Sequence, residues 1–142
     1  ALPSADVVRD FNVWASEWFP PKRWIQLAAH NHPFDAPFVA RLWMLAGQPI
    51  RDRFVVHQLC TMSVAKWLQA AGVHYFRSFK LADVCRHYGI EVNEAELHGS
   101  LGDAKLGAQL LVKIREEIGS AFDARIKAQA DHREAQDQAS RQ

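Results

Sequence analysis

Apolar residues at Val7, Phe11, Trp14 and Trp18 recur at spacings of four, three and four. That is the stripe of an amphipathic helix over residues 5–18, with Ser4 placed to cap it. Pro20 and Pro21 end the pattern, and a short, mostly apolar run at residues 24–29 reads as a strand leading into a turn at His30 and Asn31. A helix follows, with Asp35 as its cap and Phe38, Leu42 and Leu45 as its buried stripe before Gly47. Residues 54–59 form the second predicted strand, and a helix through Val64, Trp67 and Leu68 stops near Gly72. Strand, helix, strand in this order implies a parallel pair joined by a right-handed crossover.

The rest of the pattern is helical. Residues 75–79 read as a loop, residues 80–88 as a short helix closed by Gly89, and residues 91–99 as a polar loop. A long helix then begins near Ser100, with Leu111, Ile114, Ile118 and Phe122 on its buried face to about residue 124. Residues 125–142 are rich in Gln, Ala and alternating charge, with Ile126 as their one large apolar residue; a solvated helical extension and disorder are both open to them, and fraying is the favoured expectation. The organisation is one domain over residues 1–124 and a charged tail over 125–142. Two parallel strands with five or six helices leave the edge of the 24–29 strand unpaired, so the predicted sheet lacks a neighbour.

Composition narrows the classes. The chain has 142 residues, is 49% hydrophobic and carries a formal net charge of +1 from 17 basic and 16 acidic side chains. One core fits that length, and no global field draws the molecule to nucleic acid, so any binding groove must be local. No apolar run reaches the roughly 18 residues of a membrane span and no signal-peptide pattern opens the chain, which points to a cytoplasmic protein without membrane contact. A start at Ala1 fits both removal of an initiator Met and a clipped chain. Cys60 and Cys85 lack metal-ligand spacing and read as buried free thiols of a reducing compartment. The five Trp read mostly as core anchors, while Tyr75, Phe76 and Phe79 offer a possible stacking surface for a base.

Two short strings carry the candidate chemistry: His30-Asn31-His32-Pro33-Phe34-Asp35 and His98-Gly99-Ser100-Leu101-Gly102-Asp103-Ala104. Asp103 has a structural role open to it, since Ser100 to Asp103 is close to a capping box and an acid favours the positive end of a helix. His98 adds a second possibility. At about 100° per residue, two positions five apart on a helix lie roughly 140° apart, so His98 belongs to the preceding loop. From there an imidazole can reach over a cation held by the helical carboxylate and act as general base. Asp35 stands at the C-terminal end of a parallel strand, where open α/β sheets form ligand crevices. His30 and His32 flank Asn31 but read as hydrogen-bonded core or rim residues, and His57, His74, His87 and His132 have no partner spacing.

Together the strings resemble the second and third motifs of the DEDDh family of 3'-5' exonucleases, the DnaQ-like nucleases of the RNase H-like superfamily. Cys60-Thr61-Met62 and the run from Lys80 to Ile90 follow the family order, so the likeness spans residues 4–118. The resemblance implies an RNase H-like exonuclease fold that is N-terminally incomplete: two parallel strands, five to six helices and the first three strands absent. It implies catalytic roles for His98, Asp103 and Asp35, with Asp103 and Asp35 holding Mg²⁺ or Mn²⁺ in a two-metal site and His98 as general base. Asn31 and Phe34 would contact substrate, a single-stranded or frayed 3' end of DNA or RNA. The family's first motif, Asp-x-Glu, has no counterpart, because none of the nine Asp residues has Glu two positions on. The isolated chain is therefore expected to be inactive. A catalytically dead module that binds nucleic acid or protein is the alternative, and a strand supplied by another chain or segment is a third arrangement.

Overall fold

The computed structural model describes residues 3–19, 24–55, 57–97 and 99–139, without the side chains of Glu96 and residues 130–139. Seven elements organise it: α1 (Ser4–Trp18), β1 (Ala28–Ala29), α2 (His32–Leu45), β2 (Leu59–Cys60), α3 (Thr61–Ala70), α4 (Leu81–His87) and α5 (Ser100–Ala139). Five helices and a two-stranded parallel sheet make this a mostly helical α/β fold. Short 3₁₀ turns at Ile50–Asp52 and Glu94–Glu96 complete it. No helix among the described residues is long and apolar enough to cross a membrane.

β1 pairs with β2 in register Ala28 to Leu59 and Ala29 to Cys60, and an isolated parallel bridge joins Ile25 to Phe54. The two predicted strands are therefore present as a pairing line, but regular ladder forms only at its C-terminal end. Ile25 donates its N–H to Arg53 and accepts from Val55, and Leu27 accepts from Leu59 at 3.0 Å. Alternation along an extended chain turns the backbone groups of Gln26 and Ala28 the other way. Among the described residues no strand lies on that side.

Two apolar clusters flank the sheet. In one, Val8 and Ala15 of α1 pack with Ile25, Trp43 and Phe54. In the other, Ala65 and Leu68 of α3 pack with Phe76, Val84, Cys85, Leu110 and Ile114. This changes the helical stripes. On α1 the buried line is Val8 and Ala15 with half-buried Phe11, while Trp14 is exposed; on α2 it is Trp43, with Phe38 and Leu45 exposed. Of the five Trp only Trp43 is a core anchor, since Trp14, Trp18, Trp24 and Trp67 are 51%, 69%, 64% and 74% exposed. Of the three aromatics offered for stacking, Phe76 is buried, Phe79 is partly buried against the core and Tyr75 is exposed. Cys85 is buried and Cys60 only partly so, and both are free thiols.

α5 outruns the body it packs on. Its buried line is Leu110 and Ile114, and Ile118 and Phe122 are exposed, with none of the described residues covering them. Rather than fraying at residue 125, the helix continues to Ala139.

Three capping roles expected from sequence are also reassigned. α1 opens on the carbonyl of Pro3, which accepts from Asp6 and Val7, and Ser4 already lies inside the helix. α2 opens at Asn31, whose φ of 70° is left-handed and whose carbonyl accepts from Phe34 at 2.8 Å. α5 opens at Gly99, whose carbonyl accepts from Asp103 at 2.9 Å, so Ser100 does not close a capping box.

Candidate functional site

Asp35 is released from capping by the local chemistry of the turn before it. Asn is one of the few residues that tolerate the left-handed region, and Pro33 near the start of α2 has no N–H to satisfy. The chain therefore turns into the helix three residues before Asp35 and leaves that carboxylate exposed on the first turn.

α5 packs on β1 and brings the second string to the first. A cleft of about 510 Å³ opens between them, lined by Asn31, Phe34 and Asp35 on one wall and Ser100, Asp103 and Ala104 on the other. Ala28, Ala29 and His30 form its floor at the end of β1. Small residues on α5 keep it open: Gly107 and Ala108 line it, and a Cβ added at Gly107 would meet nothing within 4 Å. Asp103 is half-buried and Phe34 is exposed at the cleft. Thus four of the five site residues expected from sequence share one cavity. The fifth, His98, lies outside the described residues.

Electrostatically the cleft is one-sided. Among the described residues it holds two carboxylates and no Lys or Arg, and neither the Asp35 nor the Asp103 carboxylate has a hydrogen-bond or ion-pair partner there. Such a lining suits a cation or hydrogen-bond donors and repels a bare phosphate. The donor set fits one hard divalent cation, since Mg²⁺ is commonly held by one or two carboxylates with water in its other positions. It does not fit two adjacent cations: among the described residues no group of three His, Cys, Asp or Glu is arranged to hold a metal.

His30 is structural, as its position at a strand end suggests. Its Nε2 lies 2.8 Å from the carbonyl of Phe79 and its Nδ1 2.9 Å from the hydroxyl of Thr61. A carbonyl only accepts, so Nε2 carries the proton and Nδ1 accepts from Thr61. Burial pushes the His30 pKa down and outweighs the opposing bond to Phe79, which keeps the ring neutral. Its neighbour His32 turns out of the cleft to a second groove beside Gln58, and its Nε2 is buried without a partner among the described residues.

Cys60 precedes α3. Burial acts to raise its thiol pKa, but hydrogen bonds from the side chain and backbone of Ser63 and the backbone of His32 and Asn31 outweigh that and lower it. Cys85 has no such donors, and burial pushes it up to about 11.

Sequence spacing missed one constellation. His74, after α3, and His87, at the end of α4, bring Nδ1 and Nε2 to 3.2 Å from each other, and the other nitrogen of His74 meets Glu117 of α5 at 2.7 Å. Residues from three separate segments make this cluster, so no local period announces it. No protein-family model, curated protein or solved structure matches the chain.

Proposed function

We propose that this chain carries part of the active cleft of a 3'-5' exonuclease of the DEDDh, DnaQ-like type, and that it is inactive as an isolated polypeptide. The observation that supports this is the shared cleft: Asn31, Phe34 and Asp35 from one string face Asp103 from the other across the end of a parallel strand. Asp35 and Asp103 would hold a hard divalent cation, Mg²⁺ or Mn²⁺, which when bound supplies Lewis-acid stabilisation of charge at a phosphodiester. Asn31 and exposed Phe34 would position the terminal nucleotide of a single-stranded or frayed 3' end. By resemblance His98 would act as general base.

Two features account for the inactivity. The described carboxylates are too few for a two-metal site, and the β1 edge bearing Gln26 and Ala28 is unpaired among the described residues. A two-stranded sheet this short has little stability of its own. In this reading one strand, from another segment or another chain, completes both the RNase H-like sheet and the acidic site.

The test is direct. The purified chain is incubated with Mn²⁺ and 5'-labelled linear or circular single-stranded DNA of equal length. We expect no shortening of either, and binding of the linear strand that weakens in Phe34→Ala and Asp103→Asn. Shortening from the 3' end that requires His98 would overturn the inactivity; equal binding of circular and linear strands would overturn the end-directed function. The same open edge favours a second reading, a catalytically dead nuclease-like module that docks a partner strand. Nuclease activity appearing when an acidic strand is supplied would exclude it.

A further inference from the structure

We infer that the exposed face of α2 is the track along which a single strand leaves the cleft, with its last two bases stacked on Phe34 and Phe38 and its backbone held by Arg41. This track rests on the end-directed nuclease reading, and it adds the length of unpaired strand that a substrate must offer.

α2 buries one side and leaves the other bare. At about 100° per residue, Trp43 lies opposite Phe34, and Val39 and Leu42 join it in the same apolar cluster. Phe34, Phe38, Arg41 and Leu45 follow at spacings of four, three and four, which places them within about 60° of one another. All four are exposed, Phe34 and Phe38 to 64% and 65%. The line they make runs about 17 Å along the helix. It starts in the cleft, because Phe34 lines that cavity beside Asp35.

Three features fit a single strand. The rings of Phe34 and Phe38 stand one turn apart, with centroids at 5.4 Å and planes tilted by 53°, so neither covers the other's face. Bases stack on such faces whatever their sequence. Arg41 comes next along the line and has no carboxylate partner among the described residues. Beyond Asp35, α2 carries no acidic residue, so a guanidinium there meets a phosphate without a competing charge on its own helix. The acidic cleft repels a bare phosphate, whereas this face offers rings for bases and one cation for the backbone. A duplex end must therefore fray by two nucleotides before its 3' end reaches Asp35 and Asp103.

The purified chain with Mg²⁺ and short 5'-fluorescein oligothymidylates, followed by fluorescence anisotropy, tests this. The strands are intact and linear, circular, or linear with the first, second or third base from the 3' end removed. We expect loss of the first or second base to weaken binding and loss of the third to leave it unchanged. Phe38→Ala should weaken binding of the intact strand about 5- to 150-fold, the worth of one stacked base, and should not weaken binding of the strand that lacks its second base. Phe38→Tyr should keep the native affinity and Phe38→Leu, apolar but without a flat face, should not. Arg41→Gln should make the fall of log affinity with log salt concentration shallower by about 0.7, one phosphate's share on a single strand. Phe38→Ala binding the intact strand as tightly as the native chain, while Phe34→Ala weakens it, would overturn the track and leave the end-directed reading standing. Equal binding of circular and linear strands by the native chain would overturn that reading and the track with it. A native chain that is dimeric by light scattering and monomeric in Phe38→Ala would assign the face to a second copy and overturn the track.

Discussion

His30 donates from Nε2 to the carbonyl of Phe79 at 2.8 Å, and this bond ties the end of β1 to the segment that leads into α4. With Thr61 on its other nitrogen, the ring joins three parts of the chain under the floor of the cleft.

His30→Ala leaves the buried Thr61 hydroxyl without its partner, which should lower stability by about 1–3 kcal/mol. The pH dependence follows from the sign of the shift. The folded pKa lies below the ordinary 6.5, so between the two values the unfolded chain binds more protons. Stability from this group is complete above 6.5 and is lost as pH falls towards the folded value. Urea melts of the native chain and His30→Gln at several pH values check this: the native protein should lose more stability below pH 6.5 than the variant.

Asn31 holds a φ of 70° at the entry to α2. Replacing it with Ala should cost up to about 1 kcal/mol, because Ala keeps the Cβ but lacks the short polar side chain that lets Asn tolerate the left-handed region, whereas Asn31→Gly should fold as well as the native chain. Comparison of their denaturation midpoints separates the backbone role from any substrate contact, which both variants lose.

Trp43 is buried between Phe11 and Phe54, with ring centroids at 5.2 and 4.9 Å. Trp43→Ala should destabilise by about 3–5 kcal/mol. Trp67→Ala, on an exposed face of α3, should change stability by no more than about 0.5 kcal/mol. Equal losses in thermal melts would show that α3 is covered in solution.

The two thiols should differ in reactivity. Cys60 has a lowered pKa and is partly exposed, while Cys85 is buried and pushed up to about 11. Iodoacetamide near neutral pH should label Cys60 first, and Cys85 only after denaturant is added, because the thiolate is the nucleophile. Mass spectrometry of the labelled peptides reads the order.

The helices were legible because apolar period and Gly or Pro punctuation are local: α3 and α4 lie within a residue or two of expectation and end before Gly72 and Gly89. The burial of individual aromatics was not. Trp14 and Trp18 satisfy the helical period of α1, yet Val8 and Ala15 face Trp43 and Phe54. Period identifies a face, but the partner that covers it belongs to another part of the chain. The same limit hid His74 and His87, whose meeting depends on how α4 packs beside the segment after α3.

By itself the sequence determined the helical α/β class, the parallel pairing line and the two strings in which Asn31, Phe34, Asp35 and Asp103 stand, since each rests on residues near one another in the chain. Only the tertiary structure decided that these four share a cavity, that Asp35 is free of capping, and that Ile118 and Phe122 are exposed. Those outcomes depend on where α5 crosses β1 and where the body beneath it ends. Long-range packing fixes both, and no local pattern encodes it.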